Sequence, residues 1–175
     1  MESMIGIVGL ALLVVFYLRK YLLRKESPQK QAMPFKGELF QVGQACIAKR
    51  AHSGATSTVV VMPGFVENFL YFTEYYADPS IELILLTSAD YHVPVTHPRF
   101  STPAWANIAK LRPGSIAYDA AMLNLALTHL VTTDNVRVHG HSRGGAVTLE
   151  AARQQPALFE QIEVILEAPV LPQGL

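Results

Sequence analysis

The segment VHGHSRGGA, residues 138–146, contains a serine placed between two glycines at a fixed spacing. Gly140 stands two residues before Ser142 and Gly144 stands two residues after it, which gives the pattern G-x-S-x-G. In this pattern a sharp turn between a strand and a helix presents the serine hydroxyl for attack on an electrophilic carbon. Side chains at the two glycine positions would crowd such a turn. The same glycines also fit an ordinary tight turn, so the interpretation depends on the flanking elements.

A phosphate-binding loop is the main alternative for these glycines. Their spacing matches neither G-x-G-x-x-G nor the P-loop, which requires a Lys followed by Ser or Thr. The flanking sequence instead predicts a strand over NVRVHG, residues 135–140, and a helix over GGAVTLEAARQQ, residues 144–155. Gly145 allows that helix to approach the strand closely. The segment therefore has the strand–turn–helix context that a nucleophilic serine requires.

Other apolar segments alternate between strand and helix patterns along the chain. TSTVVVMPGF, residues 56–65, is rich in β-branched residues, which is typical of a strand buried on both faces of a parallel sheet. Ser115 is placed to cap a helix. The alternation predicts an α/β fold with a mostly parallel sheet and flanking helices. The other predicted strands are 40–50, 81–88 and 162–170, the other helices are 67–77 and 115–131, and the proline-rich loop at 89–114 contains a partly helical stretch at 103–110.

A second turn lies about eighty residues before Ser142, where the buried strand ends in Pro63-Gly64-Phe65. With both turns present, the sequence resembles the α/β-hydrolase family over roughly residues 38–170. Proline stands here where the family often has histidine. The resemblance implies that the backbone N–H groups of Phe65 and Arg143 form an oxyanion hole. It also implies a serine hydrolase that acts on a carboxylic ester or related acyl bond through an acyl-enzyme on Ser142.

The catalytic base expected from this resemblance is missing from its usual position. The family order is nucleophile, acid and then histidine, whereas all six histidines of this chain precede Ser142. Glu167, at the end of a predicted strand, is a candidate acid or simply a solvent-facing carboxylate. Residues 38–175 are therefore interpreted as the N-terminal part of a hydrolase domain. The alternative is a non-catalytic, membrane-tethered binding or partner protein that has retained the fold.

The remaining chemically active side chains give weaker patterns. His92 and His97 follow the end of a predicted strand, so they either line a pocket, serve as a base, or lie on a surface loop. Their spacing fits no common metal site, and no metal or cofactor is expected. His141 lies inside the turn formed by residues 140–144, which we call the elbow, and is expected to line it. Cys46 is alone, which excludes an intrachain disulfide, and is expected to be a small half-buried residue.

The charge distribution argues against nucleic-acid binding. The chain has 14 basic and 14 acidic residues, but six of the basic residues fall between Arg19 and Lys36. From Gly37 onward 8 basic and 12 acidic residues remain, a net charge of −4. A nucleic-acid partner requires a basic face, so none is expected. Aromatic residues near the Pro-Gly turn favour a small apolar ester as the substrate, although the same residues also suit a core (Phe65, Phe69, Tyr71, Phe72).

The N-terminus contains an uninterrupted apolar run, Met4–Leu18, followed by basic residues. This order predicts a single transmembrane helix over residues 4–23, within an anchor and basic flank at 1–25. A polar linker at 26–37 would follow. By the positive-inside rule the basic flank and the following domain would be cytoplasmic. A signal peptide and a buried core helix are the alternatives, although the basic residues follow the apolar run here and do not precede it.

Overall fold

The computed structural model describes residues 2–25, 32–89, 91–107 and 110–171 of the 175-residue chain. It divides into two compact units, Met1–Ala32 and Met33–Leu175. The first unit contains the helix α1 (Glu2–Lys25), and the second contains a seven-stranded sheet with helices. The predicted linker at 26–37 lies partly outside the described residues. The predicted domain boundaries therefore stay predictions.

Helix α1 covers the residues that were predicted to form a membrane anchor. Among the residues that the structure describes, no helix is both long and apolar enough to cross a membrane. Within α1, Leu10, Leu13 and Phe16 are each more than half exposed. The predicted transmembrane helix over 4–23 is not supported.

The sheet has the strand order β5-β1-β2-β4-β3-β6-β7. Four strands in its second half, β4, β3, β6 and β7, pair in parallel. The predicted α/β class with a mostly parallel sheet is confirmed. The strands are β1 (Glu38–Val42), β2 (Ala45–Arg50), β3 (Ser57–Met62), β4 (Ile81–Leu86), β5 (Phe100–Ser101), β6 (Val136–His141) and β7 (Glu163–Glu167).

The first half of the sheet differs from the sequence-based prediction. The segment 40–50 was expected to form one strand, but it contains the end of β1, a turn and all of β2, which pair antiparallel. Gly43 makes this turn possible because its φ of 59° lies in the left-handed region that glycine adopts without strain. Strand β2 then pairs antiparallel with β4 and so joins the hairpin to the parallel part of the sheet.

The helices that cover the sheet are α2 (Phe72–Tyr75), α3 (Ile116–His129) and α4 (Arg143–Gln154). Ser115 caps α3 as predicted, since its hydroxyl accepts a hydrogen bond from the N–H of Tyr118 at 3.2 Å. The predicted helix over 67–77 is shorter than expected. It consists of a 3-10 turn at Phe69–Tyr71 that leads into one turn of α2. The stretch 103–110 was predicted to be partly helical. Residues 103–107 contain no helix, and residues 108–109 lie outside the described residues.

Strand β3 lies at the centre of the core, as its β-branched sequence predicts. Every residue from Val59 to Met62 is fully buried. Val60 and Met62 face the core that α3 and α4 cover, whereas Val59 and Val61 face the core on the side of α2. Side chains alternate between the two faces of a strand, so an apolar run without interruption suits a strand covered on both faces.

The parallel strands bring the two predicted turns to the same edge of the sheet. Met62, the last residue of β3, is in register with Gly140 of β6, and His141 is in register with Glu167 of β7. The Pro63-Gly64-Phe65 turn, the serine and the end of β7 therefore meet at the carboxyl ends of these strands. This is the edge at which open α/β sheets bind ligands.

Candidate active site

Ser142 lies at the junction between β6 and α4, where it is the residue that precedes the helix. Its φ of 50° and ψ of −116° place it in a conformation that residues with a side chain rarely adopt. The sharp turn predicted at Ser142, between a strand and a helix, is thus confirmed. The role of Ser142 as a nucleophile stays a prediction.

The glycines around Ser142 occupy positions that have no room for a side chain. A Cβ atom on Gly140 would lie 2.6 Å from the Thr148 hydroxyl oxygen and 2.7 Å from the carbonyl oxygen of Gly144. A Cβ on Gly144 would lie only 1.9 Å from the Met62 carbonyl oxygen. The G-x-S-x-G spacing is therefore explained by steric contact of the elbow with strand β3 and with its own helix.

Gly145 has a related role on the other side of α4. A Cβ atom there would lie 2.5 Å from the Cβ of Pro169, which follows β7. Gly145 was expected to let α4 approach the preceding strand, but the atoms nearest to its added Cβ belong to Pro169, in the segment after β7. The backbone completes this contact, because Ser142 N–H donates to the Glu167 carbonyl at 2.9 Å and Val170 N–H donates to the Ser142 carbonyl at 2.9 Å.

The Pro63-Gly64-Phe65 turn lies directly against the elbow. A Cβ on Gly64 would lie 3.1 Å from the Cβ of Ser142, so the two turns are in van der Waals contact. Arg143 is the first residue of α4, where backbone N–H groups lack an intrahelical partner. In the described part of the chain, neither Phe65 N–H nor Arg143 N–H has a hydrogen-bond acceptor. Both are available as the predicted oxyanion donors.

The ring of His141 contacts Glu67 and not the hydroxyl of Ser142 in the described structure. Its Nδ1 lies 2.7 Å from Oε2 of Glu67, which also accepts the N–H of Gly64 at 2.6 Å. The imidazole therefore lines the turn, in agreement with its predicted place, and it joins the elbow to the loop after β3. Sequence analysis placed Glu67 at the start of the predicted helix over 67–77 and did not identify this contact.

Glu167 is engaged with a histidine that precedes the serine. Its Oε2 lies 3.0 Å from Nε2 of His139, and Nδ1 of His139 lies 2.8 Å from the hydroxyl of Tyr76. Burial, followed by the charge of Glu167, raises the pKa of Tyr76 above its usual value. The Glu167 side chain thus belongs to a chain of three hydrogen-bonded groups, and its role as the triad acid stays a prediction.

The Arg143 side chain anchors the elbow to α3 and to the end of β4. Its Nη1 lies 2.6 Å from Oδ2 of Asp119, which is fully buried, and 2.8 Å from the Ser88 hydroxyl, to which it donates. Nη2 donates to the carbonyl of Gly114 at 3.2 Å. The contact with Asp119 is ionic, since the carboxylate accepts no well-aligned hydrogen bond among the described residues. Asp119 carried no sequence signal beyond its place in the first turn of α3.

None of the six histidines hydrogen-bonds to the Ser142 hydroxyl within the described ranges. His92 and His97 lie in the loop between β4 and β5, and no described contact brings either of them to the serine. The structure also contains no group of three or more His, Cys, Asp or Glu residues that could hold a metal, among the residues it describes. The described histidines therefore do not supply a base at Ser142.

Cys46 is excluded as the nucleophile. It lies in β2 and is 2% exposed, so it is more deeply buried than the half-buried position expected. Burial raises the pKa of its thiol to about 12, and the thiolate is the reactive form of cysteine. The thiol stays protonated at neutral pH and acts as a small core residue.

Two concave surfaces flank the elbow. One is a cavity of about 300 Å³ that contains the glutamate–histidine contact and three aromatic rings. The other is an apolar groove of about 470 Å³ along α4 that begins at Arg143. The first is lined by Glu67, Tyr71, Phe72, Glu74, Tyr75, His141 and Glu167, and the second mainly by Ile116, Ala146, Leu149, Val170 and Leu171.

Several solved structures with a similar fold are named as hydrolases. An α/β-hydrolase from Penicillium sp. sh18 matches with a TM-score of 0.55 at 17% identity, over 79% of this chain and 47% of its own. An N-acyl homoserine lactonase, solved with N-butanoyl homoserine, matches with a TM-score of 0.54 at 13% identity, over 77% of this chain and 45% of its own. An esterase from Exiguobacterium antarcticum matches with a TM-score of 0.52 at 17% identity, over 77% of this chain and 46% of its own.

The chain spans about half the length of these proteins. No protein-family model and no curated protein sequence matches it. The sequence identities are low, and a shared fold by itself does not determine an activity. What the strand order, the elbow and these structures establish together is that the chain has the α/β-hydrolase fold.

Proposed function

We propose that the chain carries the nucleophile and oxyanion donors of a serine hydrolase that acts on a carboxylic ester or a related acyl bond. The observation that carries the proposal is the backbone of Ser142, held at a φ of 50° beside the free N–H groups of Phe65 and Arg143. Such strain costs free energy of about 1–3 kcal/mol and is concentrated at functional sites. The hydrolytic chemistry of proteins that share the fold supports the same class of reaction.

Each group in this arrangement has a distinct task in acyl transfer. The Ser142 oxygen attacks the acyl carbon and forms a new C–O bond, while the carbonyl electron pair moves onto oxygen. The resulting oxyanion accepts hydrogen bonds from Phe65 N–H and Arg143 N–H, and the positive end of the α4 dipole favours the same charge. Collapse of the intermediate breaks the C–O bond to the leaving group, which departs as an alcohol with the proton that the base took from Ser142. An acyl group then remains on Ser142.

The serine proton requires an acceptor that the described residues do not place there. A serine hydroxyl is a weak nucleophile unless a base removes its proton. The ring of His141 is bonded to Glu67, and the ring of His139 is bonded to Tyr76 and Glu167. Acylation at a useful rate therefore depends on a base from outside these residues.

A small apolar ester fits the surroundings of the elbow best. The groove that begins at Arg143 is lined mainly by aliphatic side chains and has a volume of about 470 Å³. An acyl or alkyl group in such a groove would lose apolar surface to water, which stabilises binding by roughly 25 cal/mol per Å². This is the basis for an apolar ester as the substrate, and no nucleic-acid or metal-dependent reaction is proposed.

A non-catalytic binding protein is the second candidate, and one observation favours it. Within the described residues the serine hydroxyl has no hydrogen-bonded histidine, although an active triad needs one. Under this alternative the elbow would be a retained structural turn, and Ser142 would be no more reactive than other serines of the chain.

Exogenous imidazole distinguishes the two candidates, because it can act as the missing base. We expect the chain to be acetylated by 4-nitrophenyl acetate at Ser142 when imidazole is present. Omission of imidazole should slow this reaction about 100-fold or more, which is the usual contribution of a general base. Intact-mass and peptide mass spectrometry measure the adduct and its position.

Ser142→Ala is the control, because it removes the hydroxyl and leaves the backbone N–H groups in place. Adduct at Ser142 in the wild-type chain only would support the proposal. An adduct that is equally abundant in Ser142→Ala, or no adduct in either chain, would contradict it and favour the binding protein.

A further inference from the structure

We infer that Glu67 is a positioning residue that fixes the Pro63-Gly64-Phe65 turn, which we call the oxyanion turn, against the elbow. One of its carboxylate oxygens contacts both segments, through the N–H of Gly64 and the ring of His141. This inference rests on the proposed function, because it assigns the alignment of the Phe65 and Arg143 donors to a side chain. We call the contact of Glu67 with these two partners the Glu67 clamp.

The geometry of the Glu67 clamp depends on a single atom. Oε2 accepts the Gly64 N–H at 2.6 Å and lies 2.7 Å from Nδ1 of His141. An ionised carboxylate only accepts hydrogen bonds, so His141 donates its Nδ1–H. The two side chains are 21% and 30% exposed, so both contacts are largely protected from water. Hydrogen bonds to an ionised acceptor are stronger than those between neutral groups.

The oxyanion turn needs such a restraint because it is strained and exposed. Val66 has a φ of 57°, which is unfavourable for a β-branched residue. Phe65 and Val66 are both 72% exposed, and thus little packing fixes the loop at its tip. The N–H of Val66 makes only a long contact, 3.3 Å, with the hydroxyl of Tyr91. Backbone strain of this kind persists only where neighbouring contacts hold it in place.

Small movements of this turn would separate the two donors. Gly64 is in van der Waals contact with Ser142, and Phe65 is the next residue along the chain. The Arg143 donor is fixed independently, by the start of α4 and by the contact of its side chain with Asp119. Oxyanion donors act only within about 2.7–3.1 Å of the oxyanion, so the position of Phe65 relative to Arg143 decides whether both can bind it.

Because one oxygen accepts from both partners, the Glu67 clamp predicts which substitutions of Glu67 keep the two contacts and which lose them. Glu67→Gln retains an acceptor oxygen at the same reach and should preserve the clamp. Glu67→Asp keeps the charge but is one methylene shorter, and Glu67→Ala has no acceptor, so both should lose it. If Glu67 acted through its charge alone, Glu67→Asp would be the better substitute.

The experiment measures amide hydrogen exchange at Gly64 by NMR in the full chain. We expect exchange at Gly64 to be at least about tenfold faster in Glu67→Ala and Glu67→Asp than in the wild type. Glu67→Gln should stay within a few-fold of the wild type. Glu74→Ala is the matched control, since Glu74 lines the same cavity but has no hydrogen bond or ion pair to either turn among the described residues. It should not alter exchange at Gly64.

Imidazole-assisted acetylation of Ser142 is the second readout, and it should fall about tenfold in Glu67→Ala and recover in Glu67→Gln. Failure of the wild-type chain to acetylate would count against the proposed function, while exchange at Gly64 would still decide the clamp. Unchanged exchange in Glu67→Ala, or faster exchange in Glu67→Gln than in Glu67→Asp, would overturn the inference. If Glu67→Ala does not fold, the comparison of the Gln and Asp variants decides in its place.

Discussion

Replacement of Arg143 by leucine is expected to destabilise the fold by about 3–5 kcal/mol, since it removes one partner of a buried ion pair. Asp119 is 0% exposed, and its Oδ2 lies 2.6 Å from Arg143 Nη1. Without the guanidinium this carboxylate would be buried with no opposite charge and no well-aligned hydrogen bond among the described residues. Urea denaturation measures the change in the free energy of unfolding.

Arg153→Leu provides the control for the loss of an arginine from the same helix. Its ion pair with Glu150 involves an arginine side chain that is 73% exposed, and exposed pairs contribute little to the free energy of unfolding. The double variant Asp119→Leu, Arg143→Leu should recover much of the stability lost in the single variant, because no unpaired charge remains. A loss for Arg143→Leu no larger than that for Arg153→Leu would show that Asp119 does not depend on Arg143.

Substitution of Gly144 by alanine is expected to cost about 3 kcal/mol or more, because the added methyl group has no space. Its Cβ would lie 1.9 Å from the Met62 carbonyl oxygen and 2.7 Å from the Met62 carbonyl carbon. These neighbours are backbone atoms of the central strand, which cannot rotate away as a side chain can. The elbow and β3 would have to separate, and the oxyanion donors would move with them.

Gly9→Ala is the matched control, because a Cβ at Gly9 has no atom within 4 Å. Gly9 lies inside α1, where alanine is favoured over glycine, so this variant should not be destabilised. Thermal unfolding of the two variants provides the comparison. A melting temperature for Gly144→Ala within a few degrees of the wild type would contradict the steric account of the G-x-S-x-G spacing.

The elbow could be predicted from the sequence because its determinants are local. Gly140, Ser142 and Gly144 lie within five residues, and their spacing reflects a turn formed by the backbone itself. The apolar run of β3 likewise indicated a strand covered on both faces, and the structure places it at the centre of the sheet. A turn or a buried strand whose determinants lie within a few consecutive residues can therefore be predicted from the sequence.

The contacts that fix the site could not be predicted, because they join residues far apart in the chain. Glu67 and His141 are 74 residues apart, and Tyr76 and His139 are 63 residues apart. Neither pair has a pattern that distinguishes it from surface charges. The pairs become neighbours only when β3 and β6 lie side by side, and a sequence pattern shows that strands exist but not which groups meet at their ends.

The errors in the sequence-based prediction have physical causes as well. The hairpin of β1 and β2 was interpreted as one strand because only Gly43 marks its turn, and a single glycine also occurs within strands. The apolar pattern of this segment was interpreted correctly, but the turn inside it was missed.

A crystal structure of the chain with a phenylboronic acid tests the central claim most directly, because boron mimics the tetrahedral carbon of acyl transfer. The account predicts a bond between boron and the Ser142 oxygen, with one boronate oxygen within about 2.7–3.1 Å of both Phe65 N and Arg143 N. A boronate bound to another residue, or one attached to Ser142 with no oxygen near these two nitrogens, would contradict the assignment of the elbow and the oxyanion turn as an active site.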